Sequence, residues 1–313
     1  MDQNPAAPQT EKLRLSLVVP MRDEAAGLDA LLERVEKALA QFPRWEMIAV
    51  DDGSADDTWA RLAAAAHARP WLRGVRLARS FGQHPATLAG LKNARGEIIA
   101  TMDADLQVRP EDVPLLVSKI DEGAGVAFAL RGHSGEGFVR RTLGAAAKRF
   151  LCRFAAGSPP AAVSTFWAAR RGVVEAALLA EISRPVAPFH VMLGCPRKVA
   201  AVTVAESPRS RGASKYGGLA LLRLAADVFF GYTILPEPAL LVTALAAPAG
   251  TILLWLLAGI AALANLPAVS AFLVFVGILF ALAAFSALLF LSAEIALRSA
   301  PARGPLYRVT ETF

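Results

Sequence analysis

The sequence has few cysteines, no apolar segment near its N-terminus and no basic run interleaved with aromatic residues. Its two cysteines, Cys152 and Cys195, lie far apart without metal-ligand spacing, which excludes a disulfide framework and a thiolate zinc site. The polar start, MDQNPAAPQTEKLR, lacks the hydrophobic region of a secretory signal peptide. The net charge of +6 therefore indicates attraction to anionic lipid headgroups, and we expect no nucleic-acid partner.

Charge is absent from a long C-terminal window. No residue from Pro238 to Ala293 is charged, and the window is long enough for two helices of ~20 apolar residues. We predict membrane spans over 239–263 and 268–293, with Asn265 and Pro267 breaking the helix between them. The alternative is a buried helical hairpin, but each half is longer and more uniformly apolar than such helices usually are.

Basic residues flank the predicted spans and are missing from the reversal. They are Arg209, Arg211, Lys215 and Arg223 before the first span, and Arg298, Arg303 and Arg308 after the second. By the positive-inside rule, both flanks face the cytoplasm. We therefore expect a multi-pass protein of the lipid bilayer whose preceding domain and both termini are cytoplasmic.

The first half of the chain alternates apolar runs with helical patterns, which predicts an α/β fold with a mostly parallel sheet. The predicted strands cover 13–20, 45–52, 72–79, 97–105 and 125–131, and the helices lie near 24–41, 56–68, 84–95 and 110–121. Ligands of such sheets bind beyond the carboxyl ends of the strands.

Acidic residues follow three of these strands directly. They are Asp23 and Glu24, Asp51 and Asp52, and Asp103 and Asp105. The first two pairs have an alternative role in helix capping and turns, whereas the stretch DADLQ, residues 103–107, is not needed to cap the helix that follows it. Its two carboxylates and the amide of Gln107 are hard oxygen ligands, which predicts a Mg²⁺ or Mn²⁺ site with positions left for phosphates.

Several motifs resemble those of family 2 glycosyltransferases with the GT-A fold. They are VVPMRDE (18–24), DDGS (51–54) and DADLQ (103–107). A second set is similar to the polyprenyl-phosphate glycosyltransferases, the group of dolichyl-phosphate mannose synthase and the bacterial undecaprenyl-phosphate sugar transferases. It comprises FGQHPATLAGLKNARG (81–96), RSRGASKYG (209–217) and RGPLYRV (303–309). The resemblance implies a protein of the bacterial inner membrane whose Rossmann-like GT-A domain lies on the cytoplasmic side.

The resemblance also implies roles for individual residues. The nucleotide-sugar donor would contact Pro20, Glu24, Asp51, Asp52, Asp103 and Ser214. The metal would be held by Asp103, Asp105 and Gln107, and the catalytic residues would be Asp105, Arg209 and Lys215. Arg140 and Arg141 are candidates for the acceptor phosphate, with a solvated helix face as the alternative. The expected reaction is inverting transfer of one sugar to a polyprenyl phosphate at the cytoplasmic face.

The chain departs from the family pattern in places. Asp23 stands where an asparagine is usual and Arg22 where an aromatic residue is usual. The expected aspartate falls at Ala161 or Ala162, and the expected arginine falls near Phe166 or Trp167. Two alternatives therefore stay open: another membrane-lipid acceptor, or a non-catalytic protein that binds nucleotide sugar or lipid phosphate.

The sequence leaves further details open. The pair Gln83 and His84 resembles that of transferases that load 4-formamido-arabinose onto undecaprenyl phosphate, but it does not name the sugar. A homo-oligomer is compatible with the sequence, which does not fix the number of subunits.

The predicted organisation has five parts. They are a leader (1–13), the glycosyltransferase domain (14–216), an amphipathic interfacial helix (217–236), two transmembrane helices (237–294) and a cytoplasmic tail (295–313). Phe229 and Phe230 belong to the apolar face of the interfacial helix, which we expect to lie in the headgroup plane. Packing of this face against the catalytic domain is the alternative.

Overall fold

The structure, a computed structural model, describes residues 13–131, 164–179, 198–204, 236–299 and 307–313. The predicted leader and nearly all of the predicted interfacial helix lie outside these residues. The strands are β1 (Leu15–Met21), β2 (Trp45–Asp51), β3 (Leu72–Leu77), β4 (Ile98–Thr101), β5 (Val126–Arg131), β6 (Trp167–Arg170), β7 (Val199–Val204) and β8 (Val309–Thr312). The helices are α1 (Leu28–Leu39), α2 (Thr58–Ala66), α3 (Gln83–Asn93), α4 (Val113–Asp121), α5 (Arg171–Leu178), α6 (Pro236–Leu263) and α7 (Pro267–Ser299).

The described strands form one sheet in the order β7-β5-β6-β4-β1-β2-β3-β8. Strands β1 to β4 are mutually parallel, whereas β6 runs antiparallel to both β4 and β5. All seven residues of β1 are buried, as expected for a central parallel strand that is covered by helices on both faces. The predicted mostly parallel α/β sheet is confirmed.

Helix α1 shows why these segments are helical. Its buried residues recur at intervals of three and four, as in Leu28, Leu31, Leu32 and Val35, so they form one stripe facing the sheet. The predicted strand over 97–105 is shorter than expected, because β4 ends at Thr101. The acidic residues that follow therefore lie in a loop.

A buried polar network joins β1 and β2 at the opposite end of the sheet from this loop. Ser16 donates its hydroxyl hydrogen to Oε1 of Glu46 at 2.6 Å, and the backbone N–H of Arg95 donates to the same oxygen at 2.8 Å. Arg73 donates to Oε2 at 3.1 Å. Glu46 is only 5% exposed, so these donors replace the water that its charge would otherwise bind.

Strand β8 adds an element that the sequence did not predict. Its residues are predicted to lie in a tail, but Val309–Thr312 pairs antiparallel with β3 at the edge of the sheet. The ring of Phe313 covers Gly74, where a Cβ atom would lie 2.2 Å from Cζ. Tyr307 packs partly buried against the core just before β8 and anchors the segment there, and this burial raises its pKa to about 12.

Helices α6 and α7 are long and apolar enough to cross a membrane. The candidate spans are Leu241–Leu263 and Pro267–Ala296, and most of their residues are exposed on the protein surface. Asn265 adopts a left-handed backbone conformation (φ 57°) in the reversal, as its predicted role as a breaker requires. Both predicted helices are confirmed, and α7 extends six residues beyond the predicted end, to Ser299.

Replacing Glu46 with glutamine tests the buried network. In Glu46→Gln, an amide nitrogen would face Arg73 or the backbone donors, so a buried donor loses its acceptor. We expect the free energy of unfolding to fall by about 1–3 kcal/mol, measured by denaturant unfolding of the purified full chain followed by circular dichroism. The exposed Glu33→Gln on α1 is the control and should change it by less than about 0.5 kcal/mol. Equal effects would contradict the role assigned to the network.

Candidate functional site

Three loops meet where β1, β2 and β4 end. The register pairs Met21 with Asp51 and Val18 with Thr101, so the carboxyl ends of these parallel strands lie at one edge of the sheet. Loops 22–27, 52–57 and 102–109 continue from this edge. The acidic pairs singled out in the sequence are thus brought together along one rim.

Hydrogen bonds join the first two loops into one unit. The backbone N–H of Asp23 donates to Oγ of Ser54 at 2.9 Å, and the N–H of Ala55 donates to Oδ1 of Asp23 at 2.8 Å. The N–H of Glu24 donates to Oγ1 of Thr58 at 2.9 Å. Asp23 adopts a left-handed conformation (φ 55°), which aspartate and asparagine tolerate better than most residues. Aspartate in place of the asparagine that is usual in the family can therefore still adopt the conformation of this turn.

Asp56 makes a further link between these loops. Its carboxylate accepts hydrogen bonds from the backbone N–H of Ala25 at 3.1 Å and of Thr58 at 3.0 Å. Burial alone would raise the pKa of Asp56, but the hydrogen bonds from Thr58 and Ala25 outweigh it and lower the pKa below its ordinary value. The carboxylate is consequently charged at neutral pH and holds the start of α2 against the first loop.

Asp51 is fully buried, and protein groups contact both of its carboxylate oxygens. Oδ1 accepts hydrogen bonds from the backbone N–H of Ser54 at 3.1 Å and from its hydroxyl, while Nε of Arg76 lies 3.4 Å from Oδ2. Asp51 therefore holds the turn between β2 and α2 in place through its contacts with Ser54. Direct contact with a nucleotide, as the family resemblance implies, stays a prediction.

Asp52 is 5% exposed and holds the loop before α3. Its carboxylate accepts hydrogen bonds from the hydroxyl of Ser80 at 2.8 Å and from the backbone N–H groups of Phe81 at 2.7 Å and Gly82 at 2.9 Å. Between the turn and this loop lies Gly53 (φ 65°), where a Cβ atom would come within 2.6 Å of the carbonyl carbon of Arg79. Only glycine fits this close approach without strain.

Asp103 is oriented by two side chains that the sequence analysis did not assign. Gln83, the first residue of α3, donates its amide hydrogen to Oδ1, and Thr165 donates its hydroxyl hydrogen to Oδ2 at 2.9 Å. The hydroxyl of Thr101 in turn donates to the carbonyl of Thr165 at 2.7 Å. Gln83 lies in a motif that signals its importance, whereas Thr165, 62 residues from Asp103, carries no local signal.

Asp105 is exposed and forms a small turn with Gln107. Oδ1 accepts from the backbone N–H of Gln107 at 3.1 Å, and Oδ2 accepts from its side-chain amide at 2.6 Å. Leu106 between them has φ 57°, a left-handed conformation that brings its neighbours together. Two of the three residues predicted as metal ligands, Asp105 and Gln107, are thus in direct contact.

The donor set fits a hard divalent cation. Each carboxylate oxygen has two lone pairs, so an oxygen that accepts a hydrogen bond can also bind a metal, and the amide oxygen of Gln107 is a further hard ligand. Within the described part of the chain, no group of three or more His, Cys, Asp or Glu residues could hold a metal. A cation bound by two carboxylates and one amide would therefore need oxygens from a ligand to complete its shell.

Several predicted residues lie outside the described residues. They are Arg140, Arg141, Arg209, Ser214 and Lys215, as well as Ala161 and Ala162. Phe166 and Trp167 are described and are both fully buried, with Trp167 opening β6. These two positions, near which the family has an arginine, belong to the core of this chain. Their burial accounts for the large apolar side chains found there.

Comparison with known proteins gives three similarities. The model of glycosyl transferase family 2 matches residues 16–177. Undecaprenyl-phosphate 4-deoxy-4-formamido-L-arabinose transferase of Shewanella sediminis is 34% identical over 225 residues, which are 71% of this chain and 67% of that protein. The crystal structure of a mycobacterial protein is similar with a TM-score of 0.51 and 23% identity, covering 69% of this chain and 75% of that chain.

Replacing Thr165 with valine tests how Asp103 is oriented. Thr165→Val keeps the shape of the side chain but removes the hydrogen bond to Oδ2 of Asp103. Loss of such a supporting contact typically weakens metal binding ~10- to 100-fold, so we expect a weaker Kd for Mn²⁺ in a calorimetric titration of the full chain. Ser118→Ala, on the exposed face of α4, is the control. Unchanged Mn²⁺ affinity in Thr165→Val would show that Asp103 does not depend on this contact or does not bind the metal.

Proposed function

The chain belongs to glycosyl transferase family 2, and on this premise we propose that it transfers one sugar from a nucleotide-diphosphate sugar to a polyprenyl phosphate of the undecaprenyl type. The observation that carries the proposal is the carboxylate rim at the end of β1, β2 and β4, followed in the same chain by two helices long enough to cross a membrane. The 34% identity to an undecaprenyl-phosphate sugar transferase supports the choice of acceptor.

The donor is proposed to bind along the rim. Its diphosphate would lie near Asp103, Asp105 and Gln107, which would hold a Mg²⁺ or Mn²⁺ ion. Such an ion, when bound, supplies positive charge that stabilises the departing nucleoside diphosphate. Gln83 and Thr165 keep Asp103 in place, and the joined loops of Glu24 and Asp52 form the proposed wall for the nucleoside.

The acceptor makes a general base unnecessary. A phosphomonoester has a second pKa of ≈ 6, so a polyprenyl phosphate is largely dianionic at neutral pH and its oxygen is already nucleophilic. We propose that this oxygen attacks the anomeric carbon from the face opposite the leaving group, which inverts the configuration. The protein then contributes mainly by positioning the two substrates and stabilising the charge on the leaving group.

The membrane placement is part of the proposal. Helices α6 and α7 would cross the bacterial inner membrane, with the catalytic domain on the cytoplasmic side. The backbone pairing of β8 with β3 supports this arrangement, because it requires the segment after α7 to lie on the same side as the catalytic sheet. Two membrane spans between β7 and β8 would return the chain to the side from which it entered, as this strand pairing requires.

Transfer by the purified full chain tests the function. The protein in nanodiscs would be given undecaprenyl phosphate and a panel of nucleotide sugars, and product lipid would be identified by mass spectrometry. A glycosylated undecaprenyl phosphate is the expected product. Transfer only to a lipid hydroxyl, or binding of the donor without turnover, would contradict the proposed acceptor or the proposed catalysis, respectively.

Replacing Asp105 with asparagine tests the proposed metal site. Asp105→Asn keeps the size of the side chain but removes one charge from the site, so we expect turnover to fall by ~10²-fold or more, as for loss of one strong electrostatic stabiliser. The melting temperature should stay unchanged, because Asp105 is exposed. Glu33→Gln, which removes one exposed carboxylate from α1 away from the rim, is the control. A folded Asp105→Asn enzyme with full activity in metal-free buffer would contradict the assignment.

A reporter fused after Phe313 tests the topology. Because β8 pairs with the catalytic sheet, a fusion partner that works only in the cytoplasm should be active, and alkaline phosphatase, which needs the periplasm, should be inactive. The control is a fusion within the reversal after Asn265, where the activities should be opposite. An active phosphatase after Phe313 would contradict the two-span arrangement.

A further inference from the structure

A row of charged side chains crosses three adjacent strands at one edge of the sheet. Asp51 on β2 is the register partner of Arg76 on β3, and Arg76 is the register partner of Glu311 on β8. Nη1 of Arg76 donates to Oε1 of Glu311 at 3.0 Å, and Nε lies 3.4 Å from Oδ2 of Asp51. One guanidinium therefore connects a carboxylate of the C-terminal strand to a buried carboxylate of the rim.

Glu311 is itself fixed by a second contact. Its Oε2 accepts a hydrogen bond from the indole N–H of Trp59 at 2.8 Å, and the ring of Trp59 packs against Phe313 with centroids 4.9 Å apart. The guanidinium of Arg76 lies 5.7 Å from the centroid of the Trp59 ring. Helix α2 and the end of the chain thus hold Glu311, and Glu311 in turn restricts Arg76.

The contacts continue from Asp51 into both loops of the rim. Oδ1 of Asp51 accepts hydrogen bonds from Ser54, and Oγ of Ser54 accepts the backbone N–H of Asp23 at 2.9 Å. A shift of the Asp51 carboxylate would consequently move Ser54 and the loop that follows β1. These are the loops that the proposed function assigns to the nucleoside.

We propose that Glu311 and Arg76 are positioning residues that act through Asp51 to set the affinity of the rim for the nucleotide part of the donor. This inference rests on the proposed function, in which the rim binds a nucleotide sugar. Strand β8, which follows α6 and α7 in the chain, would thus influence donor binding without touching the donor.

The expected effect is moderate, because solvent screens part of the row. The side chains of Arg76 and Glu311 are 34% and 52% exposed, respectively. Exposed ion pairs are worth about 0.2–1 kcal/mol, so Glu311→Gln should weaken nucleotide binding up to about fivefold. Glu311→Lys should weaken it more, since it places two cations directly opposite each other on paired strands.

The experiment uses the full chain in nanodiscs with Mn²⁺ present. The Kd values of UDP, GDP and dTDP would be measured by calorimetry, and the donor KM, kcat and melting temperature would be measured for each variant. We expect Glu311→Gln and Glu311→Lys to raise Kd and KM while kcat at saturating donor stays unchanged. The melting temperature should stay unchanged in Glu311→Gln and fall in Glu311→Lys, which places like charges opposite each other and removes the acceptor of the Trp59 indole. Thr312→Val is the matched control, because the neighbouring side chain points to the other face of the sheet.

A double-variant comparison tests whether Glu311 acts through Arg76. If it does, Arg76→Gln combined with Glu311→Gln should weaken nucleotide binding no more than Arg76→Gln alone. Additive effects would overturn the coupling. An unchanged Kd in Glu311→Lys, or parallel losses of kcat and melting temperature in Glu311→Gln, would overturn the positioning role in favour of simple structural support.

The outcomes separate this inference from the proposed function. Wild-type protein that binds a nucleotide but transfers no sugar would contradict the proposed catalysis, and the Kd comparison would still decide the role of Glu311. Wild-type protein that binds none of the three nucleotides would overturn the inference, since the row would then have no donor site to position.

Discussion

A carboxylate that is buried at the end of a strand must be compensated by hydrogen-bond donors or by a nearby positive charge, and the rim is built around this requirement. Asp51 ends β2 and Asp52 follows it directly, and both are almost fully buried, where an unpaired charge would cost several kcal/mol. Ser54 and the loop before α3 supply hydrogen-bond donors, and the guanidinium of Arg76 supplies positive charge 3.4 Å from Oδ2 of Asp51. Loops that are far apart in sequence are thereby held in one arrangement, and the exposed carboxylate of Asp105 faces solvent beside them.

The same requirement divides the acidic residues into two kinds. Asp52 and Asp103 both accept hydrogen bonds from the α3 region, the former from backbone N–H groups and the latter from Gln83. Asp103 and Asp105 differ from the buried pair because they retain exposure to solvent, which the metal site predicted at these residues would require. The buried carboxylates of Asp51 and Asp52 therefore hold the shape of the rim, and the more exposed carboxylates of Asp103 and Asp105 are the candidates for binding a ligand.

Much of the fold was predictable from sequence because the central strands are continuous apolar runs and the helices between them have clear periodicity. The predicted family is confirmed. Strand β8 was missed because its sequence, VTET, is short and polar and lies at an exposed edge. The support of Asp103 by Thr165 and of Asp52 by Phe81 and Gly82 was also missed, since contacts between distant segments leave no local pattern.

Strand β8 also determines when the sheet can be completed. An open strand edge exposes backbone donors and acceptors to other chains, and β8 covers that edge of β3. The ribosome makes β8 only after α6 and α7, so β3 has no partner on this side while the two apolar helices are synthesised. Protection of the catalytic domain from edge-to-edge aggregation therefore comes late in biogenesis, after α6 and α7 have been synthesised.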